Sequence, residues 1–599
     1  MGAGTLLIRC GEFLLEEGHE ICGVVTENRE IVRWASDRRL RCFAASGDWA
    51  AHLRERPFDY LFSIANMRVL PKEVLALPRR GVINFHDGPL PRYAGVHATS
   101  WALINGEARY GVSWIAIGDL IDGGRILTQR LFDVAENETA YSLNVKCYEA
   151  GAETFAELMR ELANGSNRPR EQDLSQRSYF GKYQRPPDAC VLSWGRPAAE
   201  ISALVRALDF GPYPNPLGRA KTIINGEFFI CQDLEVLDVD SQMPPGTIVG
   251  VGPGVLKVAT SDKDIAVRKL LTPSGKPVGL DAVVQRFGLR TGTSLPVPQA
   301  LLTRRLGDFN AAVARYESFW VRKLERLRLP SLPYLRDALE SDLPPQIDSL
   351  EMELKDGVGN FLLESDLGWK PAEFVVAAFA AFIARLGGEY EFELGLTPLE
   401  LTSEINGLES LFVRHVPLTV KLDPSRSLVE QYGEYLGQLD EVRRHKTFAR
   451  DVLVRYPGLR SLAEWGLEST LPVCVEVVES IPLEAPRGPA LTLAIEVDAK
   501  HCRWFFNEHV LSRVDSGRMV AQFSTFLDGL VAKPQAPISN LPLLDKEEKR
   551  IVMGDWNATA VDVPLDRCLH ELVEAQAQRT PDEVAVVCRE EQITYGELT

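Results

Sequence analysis

The chain has 599 residues, 25% of them charged and 45% hydrophobic, and its net charge is −17. That length exceeds what one hydrophobic core serves, so three or four domains are expected. The acidic balance argues against nucleic acid or an anionic membrane as the main partner. Ten cysteines are scattered along the chain without a Cys-x-x-Cys pair or a Cys/His cluster at metal-ligand spacing. No metal site or disulfide framework is therefore expected. No apolar run reaches membrane-spanning length and no secretory leader is recognisable, so the expected location is cytoplasmic.

The chain opens with a glycine turn, Gly2-Ala-Gly4, running into an amphipathic helix that ends near Gly18. Strands expected at Cys22–Thr26, Asp59–Ile64 and Val82–Phe85 alternate with helices, which predicts a Rossmann-like parallel sheet. In such a fold a strand should precede the glycine turn, and none does. Either translation starts several codons earlier, or the strand is lost. The first alternative is favoured, because losing a central strand would expose its neighbours' backbone and apolar surface. Gly2-Ala-Gly4 lacks the third glycine of a dinucleotide loop, so nucleotide binding is not expected.

Ligands of open α/β sheets bind beyond the carboxyl ends of the strands. The run Gly81-Val-Ile-Asn84 leads there, into Phe-His86-Asp-Gly-Pro-Leu-Pro-Arg-Tyr-Ala-Gly95. Period-2 alternation puts Asn84 and His86 on one face, and the prolines make the next segment a rigid loop. Asp122 follows a second apolar run, Gly111–Ile117. Alone, His86 could cap a strand and Asp122-Gly-Gly could be a plain turn. Together an amide, an imidazole and a carboxylate suit acyl transfer to an amine. Histidine, ordinarily titrating at about 6.5, can relay a proton. Tyr93 is as well suited to packing as to lining the acceptor side.

Asn-x-His followed by Leu-Pro-x-Tyr-x-Gly, with Asp122 further on, resembles the folate-dependent formyltransferases, and most of all the formylation domains that open some nonribosomal peptide synthetases. The resemblance implies catalytic roles for Asn84, His86 and Asp122. It also implies that Arg68, Val69 and Leu70, with Gly118, Asp119, Leu120 and Ile121, border the pterin of 10-formyltetrahydrofolate. Val69, Leu70 and Ile121 could equally be sheet-end core residues, and both can hold.

On this reading residues 1–165 form the catalytic domain, closed by a long helix at Tyr141–Asn164. Residues 170–295 resemble the small C-terminal domain of the same enzymes, expected as a compact β-barrel. Residues 300–545 resemble the C-terminal lobe of a condensation domain, giving an α/β half-domain. That family's His-His-x-x-x-Asp-Gly motif is missing, since no two histidines are adjacent. His415, His445, His501 and His509 are then surface or packed residues. Residues 546–599 resemble an exit linker and the opening of an adenylation domain, without its nucleotide-binding motifs.

The resemblance implies formylation of an aminoacyl group on the phosphopantetheine arm of a downstream peptidyl-carrier domain. Adenylation and carrier domains would be the partners. Formylation of a free small amine, hydrolysis of formyl-folate, or a non-catalytic scaffold are the alternatives.

Overall fold

The computed structural model describes the chain apart from residues 55, 297–299, 336–344, 355–357, 360, 363–367, 466–470, 483–487 and 590. Its N-terminal part contains α1 (Leu6–Glu16), β1 (Val24–Val25), α2 (Arg29–Asp37), β2 (Cys42–Phe43), α3 (Trp49–Arg54), β3 (Tyr60–Ser63), α4 (Lys72–Leu75) and β4 (Gly81–His86). β5 (Ala94–Gly95), α5 (Ala98–Ile104), β6 (Arg109–Ala116), β7 (Ile126–Asp133) and α6 (Ala140–Asn164) follow. β1 pairs with β2 and β3 with β4, both in parallel. β6 runs antiparallel to β4, and β7 antiparallel to β6.

The sheet is therefore mixed, which corrects the parallel expectation. The nine residues 117–125 between β6 and β7 reverse the chain, whereas a parallel return needs a longer crossover. Where a first strand was expected, Met1 and Gly2 join the two parallel pairs. The Gly2 amide donates to the Val25 carbonyl (3.1 Å), and the Ile64 amide donates to the Met1 carbonyl (2.9 Å). A Cβ on Gly2 would stand 1.8 Å from the Ile64 oxygen, so only glycine fits there.

α6 shows how this core is built. Thr139 caps its start in a reciprocal pair with Ser142, and Gly165 ends it in the left-handed conformation, as caps and αL stops predict. Leu143, Cys147, Ala150, Gly151, Thr154, Phe155 and Leu158 form its buried stripe. Gly151 lies under the Phe85 ring, and the Trp114 indole donates to the Gly151 carbonyl and the Thr154 hydroxyl.

A second unit contains α7 (Ala198–Ala207), β9 (Lys221–Ile224), β10 (Glu227–Val236), β11 (Ile248–Gly252), β12 (Val255–Ala259), β13 (Asp264–Leu271), β14 (Pro277–Val278) and α8 (Leu280–Phe287). Its strands run antiparallel in the order β11-β12-β13-β10-β9, with β14 beside β13. Among the described residues the two end strands do not pair.

Among the described residues the third unit holds six strands: β15 (Ile347–Glu353), β16 (Glu391–Thr397), β17 (Val416–Lys421), β18 (Val473–Val478), β19 (Leu491–Glu496) and β20 (His501–Asn507). Their order is β15-β20-β19-β18-β16-β17. The helix Pro371–Gly387 is apolar all round and is buried from Ala372 to Ala384, the pattern of a helix enclosed by its own domain. Phe379, Phe382, Trp504 and Phe523 interlock beside it. His415 binds the buried Glu476 at 2.7 Å and His445 stacks on Phe319; both are packing residues.

A buried ionic cluster ties the second unit to the third. Lys221 of β9 meets Asp451 at 2.6 Å, and Arg455 meets the same carboxylate at 2.8 Å. The Arg455 guanidinium also donates through two nitrogens to Glu317, which accepts a further bond from Tyr456. Among the described residues no helix is long and apolar enough to cross a membrane.

Candidate active site

β4 ends at His86, and β3 stops beside it, with Ser63 opposite Asn84. The loop after β4 is braced from several sides. The Ser113 hydroxyl donates to the Gly88 carbonyl, and the Leu90 amide donates to that hydroxyl. Gln129 donates to the Leu90 carbonyl, and the Leu90–Pro91 bond is cis. β5 then pairs in parallel with β8 (Tyr179–Phe180), from the connection between the first two units.

This bracing settles Tyr93. Its ring is 2% exposed, lies between Tyr110 and Phe180, and its hydroxyl donates to Glu107. It packs, and what it offers the site is its backbone carbonyl, 2.7 Å from His86 Nε2. A carbonyl only accepts, so Nε2 carries the proton and Nδ1 is left as the basic nitrogen. Nδ1 stands 3.8 Å from Asp122 Oδ2, with the two side chains 5% and 12% exposed. Asp122 adopts a left-handed backbone, φ 53°, and its Oδ2 accepts the Gly95 amide at 2.9 Å. Gln172 donates to the Asp122 carbonyl and holds the turn.

Gly95 is the joint of this arrangement. Its φ is +101°, and a Cβ there would lie 2.0 Å from the Phe180 oxygen. Gly95→Ala should part β5 from β8 and release Asp122. A destabilisation of about 1–3 kcal/mol is expected, as for other strained backbone positions. Thermal unfolding checks it; an unchanged melting curve would contradict this account of the joint.

Asn84, His86 and Asp122 open into one cleft of about 1310 Å³, which is also bordered by Arg68, Val69, Leu70, Gly118, Asp119, Leu120 and Ile121. The structure thus brings all ten sequence-derived residues together. Val69, Leu120 and Ile121 are 77%, 46% and 48% exposed and form an apolar rim, whereas Leu70 is partly buried against the core while it borders the cleft. The Arg68 guanidinium turns away to Glu27 and the Ala45 carbonyl, leaving its backbone at the cleft.

A further part of the lining was not read from the sequence. Tyr141, Asn144, Val145 and Tyr148 of α6 line it, and their i, i+3, i+4, i+7 spacing was the available signal. His97 and Phe210 join them, edge to face. Burial pushes the His97 imidazole down to about 4, which makes it a neutral wall at physiological pH. Asp87 and Tyr456 also belong to the lining.

Two family models match this chain: formyl transferase over residues 33–159 and the formyl transferase C-terminal domain over residues 186–288. Residues 33–288 therefore carry the two domains of a formyltransferase enzyme. A methionyl-tRNA formyltransferase of Clostridioides difficile is 27% identical over 312 residues, which cover 49% of this chain and 98% of that protein. Its counterpart in Clostridium tetani is 28% identical over 237 residues, 40% of this chain and 74% of the relative. Among solved structures, an N-formyltransferase from Helicobacter canadensis in complex with folinic acid and dTDP-3-aminofucose is 18% identical. It covers 45% of this chain and 97% of its own, with a TM-score of 0.37. In this formyltransferase the first matched segment holds Asn84, His86 and Asp122, and the cleft reaches the second through Phe210 and Tyr213.

Proposed function

We propose that the chain formylates the amine of an aminoacyl group carried on a phosphopantetheine arm, using 10-formyltetrahydrofolate, as the opening step of an assembly line in the cytoplasm. The observation that carries the chemistry is the His86 imidazole. Tyr93 holds its Nε2 proton, which leaves Nδ1 free beside Asp122 at the cleft floor. Nδ1 can take the proton that an attacking amine must lose, and Asp122 stabilises the imidazolium that results. The Asn84 amide, two residues back on the same face, can donate to the oxyanion that develops on the formyl oxygen.

The folate fits what lines the other side. Exposed Val69, Leu120 and Ile121 offer an apolar rim for a flat heteroaromatic ring, and the loop backbone beside them supplies donors and acceptors. When bound, the folate supplies an activated formyl group on nitrogen.

The carrier-bound acceptor rests on three supports. A net charge of −17 suits a tRNA acceptor poorly. The third unit resembles by sequence a condensation lobe without its histidine pair, and residues 568–598 resemble the start of an adenylation domain. Tethering would raise the acceptor's effective concentration, so weak recognition could serve.

The test mixes the purified chain with 10-formyltetrahydrofolate and leucyl-pantetheine and follows the acceptor's mass. A formyl-sized gain is expected. Free formate without any formylated amine would replace transfer by hydrolysis.

A further inference from the structure

The cleft contains a carboxylate that the chemistry above does not use. Asp87 follows His86 directly, lines the cleft and is half-buried. Its backbone carbonyl is fixed by the Tyr110 hydroxyl (2.8 Å) and approached by the Cys147 thiol (3.9 Å). The position is therefore held from below. Its side chain, by contrast, accepts no hydrogen bond from any other described residue, and His86 and Asp122 are the charged groups near enough to bear on it. Burial pushes the Asp87 carboxyl above the usual carboxylate range. Apart from its own backbone amide the half-buried carboxylate has no described hydrogen-bond donor, and a cation arriving from outside would offset the cost of its burial.

The two substrates differ in what they could offer. A pterin is neutral and the glutamyl tail of a folate is anionic, so neither suits a free carboxylate. The acceptor amine is the cation of the reaction. Asp87 also lies beside α6, whose Cys147 thiol approaches its carbonyl and whose Tyr141, Asn144 and Tyr148 line the same cleft. Building on the function proposed above, we infer that Asp87 is the acceptor-ammonium binding residue of this site. The carboxylate receives the R–NH₃⁺ group and holds it beside His86. One N–H proton passes to Nδ1, and the nitrogen lone pair so freed forms the bond to the formyl carbon; as that adduct collapses the bond from the formyl carbon to the folate nitrogen breaks, and a second proton of the former ammonium goes to the departing nitrogen. Asp87 stays ionised throughout.

The test compares leucyl-pantetheine, with an amide replacing its thioester, with the analogue lacking the amino group, by calorimetric titration. The wild-type chain should bind the amino compound about 10–100-fold tighter, as for a hydrogen bond to a charged group. Asp87→Asn should abolish that preference, Asp87→Glu should restore part of it, and both should keep wild-type folate affinity. Where transfer is measured, Asp87→Asn should raise the acceptor KM with little change in kcat. An equal preference in wild type and Asp87→Asn, or no preference in wild type, overturns the inference. If the amine preference depends on Asp87 and no formyl reaches the acceptor, the transfer reading fails and this assignment stands.

Discussion

Replacing His86 with alanine should lower formyl transfer by about 10²–10⁴-fold, the usual contribution of a positioned acid–base group. The geometry makes the direction secure. Nδ1 is the basic nitrogen left facing the cleft, because Nε2 donates to Tyr93. Asp122 cannot simply inherit the proton. Its Oδ2 is engaged by the Gly95 amide, and its charge serves the imidazolium 3.8 Å away. Asn84→Ala removes a different element, the donor to the oxyanion, with an expected loss of about 10²–10³-fold. The two substitutions should not multiply fully, since groups that act as a unit are strongly non-additive. Single-turnover transfer measures both, with circular dichroism and folate titration showing that each variant folds and binds its donor. Near-wild-type turnover in folded His86→Ala would move the chemistry away from this residue.

The strand end was legible in the sequence because its signals are local. Asn-x-His at period 2, the proline-bound loop and Asp122 in a glycine turn each follow from neighbours along the chain. The reversal of β6 was not legible, because an apolar run reads alike in either direction. Tyr93 shows a second limit. Its side chain was weighed for a role, whereas its carbonyl sets the tautomer of His86, and no motif records what a carbonyl faces. The α6 wall lay open to reading through its spacing. The ionic cluster did not: Glu317 and Arg455 are 138 positions apart.

That cluster carries the largest stability effect expected. Arg455→Ala should destabilise the chain by about 3–5 kcal/mol, the cost of breaking a buried ion pair from one side. Arg455 is 2% exposed at its side chain; removing it leaves Glu317, among the described residues, with the Tyr456 hydroxyl and the more distant charge of Arg185, and Asp451 with Lys221 and a backbone donor, the Arg219 amide. The loss reflects stranded charge more than forfeited attraction. Arg455→Met combined with Glu317→Leu should therefore cost less than Arg455→Ala alone. Asp451 adds a pH signature. Arg455 and Lys221 hold its carboxyl well below the usual carboxylate range, against the opposing effect of burial. An unfolded aspartate titrates at about 3.9, so this stabilisation is full above that pH. It is lost as the pH falls from there through the depressed folded value. Calorimetry of wild type and variants at neutral pH and in acid reads both effects. Since Tyr456 borders the catalytic cleft and also bonds Glu317, Arg455→Ala should weaken acceptor binding as well. A variant as stable as wild type would show that the second and third units do not depend on this cluster.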